Sequence, residues 1–181
     1  MSADHRWGSS AAVRTTVLTT PRLRVTTWLP GDLDELYALH TDVRAMRYMS
    51  SGVETLGRTR VRLGTFLREQ EEPGWTKWRV EEKTGTFVGR AGFRRPHCTA
   101  HREIGYLLAP AYWGRGYATE LALALVDWHH THPEPGIDTS VHAYVFADNQ
   151  PSRKVLERAG FRLVGPDPAD ERQLLYATPP R

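Results

Sequence analysis

Glycine spacing supplies the first chemical clue in this chain. A short apolar run, Ile104-Gly105-Tyr106-Leu107-Leu108, is followed by Pro110, then by Trp113-Gly114-Arg115-Gly116-Tyr117-Ala118, then by a helical pattern reaching Asp127. The small residues Gly114, Gly116 and Ala118 let backbone N–H groups approach a ligand unobstructed, and the helix that follows points its partially positive end at them. Such a turn suits an anion, most simply a phosphate. It lacks the Gly-Lys-Ser/Thr of a Walker A loop and the Gly-x-Gly-x-x-Gly of dinucleotide folds, which argues against a nucleoside triphosphate or a nicotinamide. Cys98 is the only cysteine. It sits in a polar connection with no evident group to activate it, so a catalytic thiol is not expected. His129, His130 and His132 crowd before Pro133 and read as a helix C-terminus, where histidine is electrostatically tolerated, rather than as a metal site.

Around this turn the chain alternates short strands and helices. Leu23, Val25 and Thr27 alternate with Arg22, Arg24 and Thr26 as a first strand. Asp32 reads as the N-cap of a helix through Leu33, Leu36, Tyr37, Leu39 and His40, and a short helix is expected over Asp42 to Tyr48. Thr55 to Glu71 reads as a helix with Val61, Leu63, Phe66 and Leu67 near one face. Trp75 to Glu82 and Thr86 to Arg95 form a predicted hairpin around Lys83-Thr84-Gly85. After the central strand and the apolar helix beyond the glycine turn, Thr139 to Ala147 reads as a buried strand, and Ser152 to Arg158 as a helix ended by Gly160. Phe161 to Val164 and Gln173 to Thr178 close the chain as a hairpin. The expected class is α+β, a mixed, mostly antiparallel central sheet with helices on both faces.

A length of 181 residues fits one domain with a sizeable core, and 40% hydrophobic with 25% charged residues is an ordinary globular balance. Residues 1–16 read as a flexible, polar N-terminal tail without a secretory apolar region, and residues 17–181 as the single domain. No apolar stretch is long enough for a membrane span. A lone cysteine excludes an intrachain disulfide and points to a reducing, cytoplasmic compartment. The net charge of +3 is scattered along the chain, which could help attract a polyanionic cofactor but argues against nucleic-acid binding.

The turn resembles that of the GNAT superfamily of N-acetyltransferases, in particular its RimJ/RimL-like branch, which acetylates protein N-termini and small amines. There the pattern is Gln/Arg-x-x-Gly-x-Gly/Ala; this chain matches at Gly116 and Ala118 and carries Trp113 at the first position. Asn149-Gln150-Pro151-Ser152, with its helix ending in Gly160-Phe161, is similar to a second family segment. With Thr20-Pro21-Arg22-Leu23-Arg24, the likeness runs from about Thr20 to Ala177.

The resemblance implies a GNAT-like fold and acetyl-CoA as cosubstrate, without a metal. It places the pyrophosphate on the amides of Arg115, Gly116, Tyr117, Ala118 and Thr119, and the pantetheine amides and oxyanion on main-chain groups of Leu107 and Leu108. Asn149 is expected to hold the pantetheine arm or fix its turn. Arg153 and Lys154 either reach the nucleotide or are ordinary helix surface. Acetyl transfer needs a neutral amine, a donor for the oxyanion and a hydrogen bond or proton for the departing thiolate. Glu103, opening the central strand on the side of Gly105 and Leu107, is the nominated base. Its alternative is a structural pair with Arg102 or Arg94, and Asp167, Asp170 and Glu171 are rival carboxylates. Ser152 is the nominated thiolate donor, or an N-terminal helix residue satisfying backbone groups. Leu156 stands where many relatives carry a tyrosine. Trp28, Tyr48, Trp75 and Trp78 are candidates to line the acceptor pocket, with core packing as their alternative. The acceptor implied is a primary amine, of a peptide N-terminus or of a small molecule or antibiotic; a non-catalytic acyl-CoA-binding module is the other reading. Homodimers are common among similar proteins.

Overall fold

A computed structural model describes residues 13–95 and 100–180. Cys98 and most of the expected tail lie outside the described residues. One eight-stranded sheet, in the order β1-β2-β3-β4-β5-β6-β8-β7, forms the middle layer. Its strands are β1 (Thr16–Thr19), β2 (Leu23–Thr26), β3 (Lys77–Glu82), β4 (Phe87–Arg94), β5 (Arg102–Leu108), β6 (Val141–Phe146), β7 (Arg162–Asp167) and β8 (Asp170–Ala177). Every neighbouring pair is antiparallel except β5 and β6.

The helices divide between the faces because strand side chains alternate. On one face α4 (Tyr117–Thr131) and α5 (Gln150–Arg158) cover Val80, Val88, Phe93, Ile104, Val141, Ala143 and Val145. On the other, α1 (Leu33–Thr41), α2 (Val43–Met46) and α3 (Leu56–Glu69) bury smaller clusters around Trp28, Leu36 and Phe66, and around Leu39, Met46 and Leu107. The near-continuous apolar surface of α4 suits its place against the sheet: Leu121, Ala122 and Leu125 are fully buried.

Two local expectations change. Thr16–Thr19 forms β1, although its first residue falls within the expected tail. Asp32 stands at the N-cap of α1 without a side-chain cap bond; its carboxylate instead accepts from the Leu29 amide (2.8 Å) and pairs with Arg14. The side-chain caps are Asp42 for α2, Thr55 for α3 and Asn149 for α5. No helix among the described residues is long and apolar enough to cross a membrane.

Candidate active site

The sheet comes apart where its one parallel pair should continue. β5 and β6 are in register only at Arg102↔Val141 and Glu103↔His142. Beyond them β5 runs on to Leu108 and β6 to Phe146 with no further pairing, so a wedge opens between the strands. On its other side β5 stays laddered to β4 along its length. Antiparallel hydrogen bonding alternates, and the Ala109 amide donates to Val88 O (2.9 Å). Glu103, Gly105 and Leu107 therefore direct their main-chain groups at β4, and Ile104, Tyr106 and Leu108 direct theirs into the wedge. The expectation of open main-chain groups on Leu107 is corrected accordingly: its carbonyl lies against Gly89, where a Cβ would collide with it. Leu108 is on the open edge, but its carbonyl accepts from the Trp113 indole N–H (2.8 Å).

At the open end of the wedge lies the glycine turn. Gly114 and Gly116 both have positive φ, 74° and 79°, and Gly116 is the left-handed N-cap of α4. No side chain caps that end, so its first amides keep their hydrogen-bonding capacity for a ligand. The turn is braced from behind. Arg22 donates to Arg115 O (2.7 Å), pairs with Glu120 and stacks over the Tyr117 ring at 4.7 Å. The Tyr117 hydroxyl donates to Glu82 (2.6 Å). Arg115 is half exposed, 3.7 Å from Glu82 and over the Tyr112 ring. Ala118 and Thr119 complete the first turn of α4.

Opposite, α5 presents Asn149 and Ser152. Asn149 Oδ1 accepts from the Ser152 amide (3.3 Å) and so fixes the turn. Ser152 Oγ lies 2.8 Å from the Tyr106 hydroxyl, which also reaches Ser152 O (3.3 Å). This pair spans the wedge from β5 to α5. Burial pushes the Tyr106 hydroxyl up to about 12, with the Ser152 bond opposing, so at neutral pH it remains a donor. Tyr106 was missed from sequence, although it closes the Glu-Ile-Gly-Tyr run at Glu103. Arg153 is occupied structurally, donating to the Tyr176 hydroxyl and to Ala147 O (both 3.1 Å), and Lys154 is exposed.

On the α1–α3 face, Glu103 is buried and its Oε2 accepts from Arg94 (2.8 Å). Arg102 points to the opposite face, where it pairs with Glu134 (3.0 Å). Tyr144, on β6, has its hydroxyl raised by burial and then by Asp167 and Glu103, so both carboxylates act on it. Asp170 is clamped by Arg172 and held well below the carboxylate range by that bond, and Glu171 is exposed. Beyond Tyr144, a cleft of about 470 Å³ is lined by Arg47, Tyr48, Phe146, Ala147, Asp148 and Arg172.

Of the four aromatic pocket candidates, Tyr48 alone lies on this cleft. Trp28 is 1% exposed, stacked on Phe66 and bonded to Lys77 O. Trp75 and Trp78 belong to the α4-side core, with Trp78 edge-on to Trp128 at 5.0 Å. Their size makes them packing residues. The histidines near the end of α4 also serve structure: His129 takes a hydrogen bond from Arg102 and gives one to Thr139 O, and His132 stacks on Trp128. No group of three metal-ligating side chains occurs among the described residues.

Residues 22–162 match the family model described as acetyltransferase (GNAT) domain. The chain is 31% identical over 149 residues to the uncharacterized protein YkkB of Bacillus subtilis, covering 80% of this chain and 84% of that protein. It is 28% identical over 155 residues to the uncharacterized N-acetyltransferase YoaA of the same organism, covering 82% and 84%. Among solved structures, an acetyltransferase from Agrobacterium tumefaciens superposes with a TM-score of 0.77 at 26% identity, over 96% of this chain and 99% of that one. RimL, a ribosomal-protein acetyltransferase solved with coenzyme A, shares the fold at 18% identity and a TM-score of 0.74, over 90% and 97%.

Proposed function

Because the chain belongs to the GNAT acetyltransferase family, we propose that it moves an acetyl group from acetyl-CoA directly to the nitrogen of a primary amine, without a covalent enzyme intermediate. The observation that carries this reading is the juxtaposition of the β5–β6 wedge with the glycine-capped start of α4. An extended pantetheine arm fits a wedge whose edge offers main-chain partners, and a pyrophosphate fits the amides from Arg115 to Thr119. RimL, with the same fold, was solved with coenzyme A.

Each chemical requirement has a candidate. Open-edge amides of β5 are placed to meet the carbonyl oxygen as it becomes an oxyanion. Ser152, oriented by Tyr106, faces the sulfur: when the tyrosine donates to Oγ, the serine proton is free for the departing thiolate. Glu103 takes the ammonium proton, directly or through water, with Arg94 holding its other side. The acceptor enters from the α1–α3 face past Tyr48 and Phe146. A peptide N-terminus and a small amine both satisfy this chemistry; the cleft, in the usual size range of small-molecule sites, favours the small amine. A cytoplasmic setting, where acetyl-CoA is available, accords with the reading.

Mixing the purified protein with acetyl-CoA and a panel of small amines and N-terminal peptides tests it through release of free thiol. Amine-dependent release is expected. Tight coenzyme A binding with no release across the panel would make the protein a binding module, and no coenzyme A binding at millimolar concentration would remove the wedge from the account.

A further inference from the structure

Two cations on the α1–α3 face of the sheet make no salt bridge to a carboxylate among the described residues. Lys77 opens β3 opposite Gly92 of β4, which in turn lies opposite Gly105 of β5. Its stem crosses the sheet toward β5 over those side-chain-free positions: a Cβ at Gly105 would lie 2.7 Å from Nζ and 3.0 Å from Cε. The ammonium thus rests on the strand that borders the wedge, and it makes no hydrogen bond or ion pair among the described residues. Arg90, two residues before Gly92, is 2% exposed. Its Nε–H donates to His40 Nε2 (3.0 Å), and its guanidinium lies 5.8 Å from the Phe66 ring centre. Neither partner is an anion, because burial holds His40 down to about 4 and leaves the imidazole neutral.

The nearby carboxylates are committed elsewhere. Glu54 accepts a hydrogen bond from His40 Nδ1–H and a forked bond from Arg62, and Glu103 is held by Arg94. Lys77 is lowered to about 8 by burial and next by the charge of Arg90, with Glu103 opposing. Burial also lowers Arg90, to about 10, with Arg62 adding to the effect. Neighbouring desolvated cations of like sign oppose folding unless an anion joins them. Among the described residues Glu103 and Glu54 act on the two cations only at a distance, and no carboxylate bonds to Lys77 or Arg90.

We propose that Lys77 and Arg90 seat the carboxylate of the acceptor, so that the enzyme acetylates small amino carboxylic acids. This rests on acetyl-CoA occupying the wedge. Lys77 supplies a mobile point charge and Arg90 a planar fork, a complementary pair for a carboxylate. An α-amino acid joins nitrogen and carboxylate through one carbon, so a carboxylate seated over Gly105 keeps the nitrogen beside Glu103 and the wedge. The same two charges repel a polyamine or an amino acid amide.

The test is calorimetric titration of the coenzyme A-saturated protein with the standard α-amino acids and with their α-amides. At least one acid is expected to bind about tenfold or more tightly than its amide. Lys77→Met should weaken that acid about tenfold while leaving coenzyme A and the amide within about twofold, and Lys77→Arg should restore most of the loss. The methionine variant should melt no lower than the wild type, since it removes a desolvated charge. Equal binding of acid and amide overturns the seat, as does a Lys77→Met protein that keeps the preference, or a coenzyme A complex that takes up none of the acids. Failure of coenzyme A itself to bind would overturn both the seat and the reading of the wedge beneath it.

Discussion

The two hydroxyls that bridge the wedge can be separated into donor and support by substitution. Among the described residues Ser152 Oγ hydrogen-bonds to Tyr106 alone, whose hydroxyl burial keeps protonated. Ser152→Ala removes the proton proposed for the departing thiolate, and kcat should fall on the order of 10²-fold with the KM for acetyl-CoA little changed. Tyr106→Phe removes only the group that orients the serine, so its loss should be smaller. The double variant should be no slower than Ser152→Ala alone, because both changes interrupt one chain. Losses that multiply would show two independent roles. Glu103 is tested separately: Glu103→Gln keeps the shape beside Arg94 but cannot accept a proton, and should lower kcat on the order of 10²-fold. Unchanged kinetics would rule out Glu103 as the proposed base.

Gly116 shows what an element end contributes beyond any side chain. It enters α4 with φ 79°, a conformation that costs a residue with a Cβ about 1–2 kcal/mol, and Arg22 Nη2 would lie 3.4 Å from that Cβ. Gly116→Ala should lower the melting temperature by a few degrees and weaken coenzyme A about tenfold or more as the first amides of α4 turn away. Calorimetry showing unchanged affinity would separate the turn from the cofactor. The glycine pattern made this turn readable in the sequence, as the paired segments on either side of Lys83-Thr84-Gly85 did the β3–β4 hairpin. The wedge was not readable: where β5 and β6 cease to pair is set by register in three dimensions, and both strands carry ordinary apolar alternation. The same limit left Trp28, Trp75 and Trp78 open between pocket and core, since residue type says large and apolar but not which layer receives it. β1 was hidden for another reason: Thr16–Thr19 is short and pairs only as an edge strand, although its β-branched residues were a usable signal.

Across the whole molecule, the α1–α3 layer is tied to the sheet by a buried polar chain that makes folding depend on pH. Arg90 donates to His40, His40 donates to Glu54, and Glu54 accepts from Arg62 of α3, linking β4, α1 and α3. His40 is fully buried and held to about 4, first by desolvation and then by Arg90. In the unfolded chain it titrates near the ordinary value of 6.5. Between those two values the unfolded state binds a proton that the folded state refuses, so stability is full above about 6.5 and declines as pH falls toward about 4. Glu54 continues the decline below that window, because the folded protein holds it to about 2 against an ordinary 4.5; burial raises it, but Arg62 and His40 together outweigh burial. His129 and His142 are also lowered by burial and act in the same direction as His40. The loss from His40 alone is on the order of 2–3 kcal/mol, a large share of a domain's stability. Urea unfolding at constant ionic strength should therefore show a midpoint that drops steadily from pH 7 to pH 4.5, and His40→Gln, whatever its stability at pH 7, should flatten that slope. A slope unaltered by the substitution would place the acid sensitivity in other groups and leave the His40 link as packing alone.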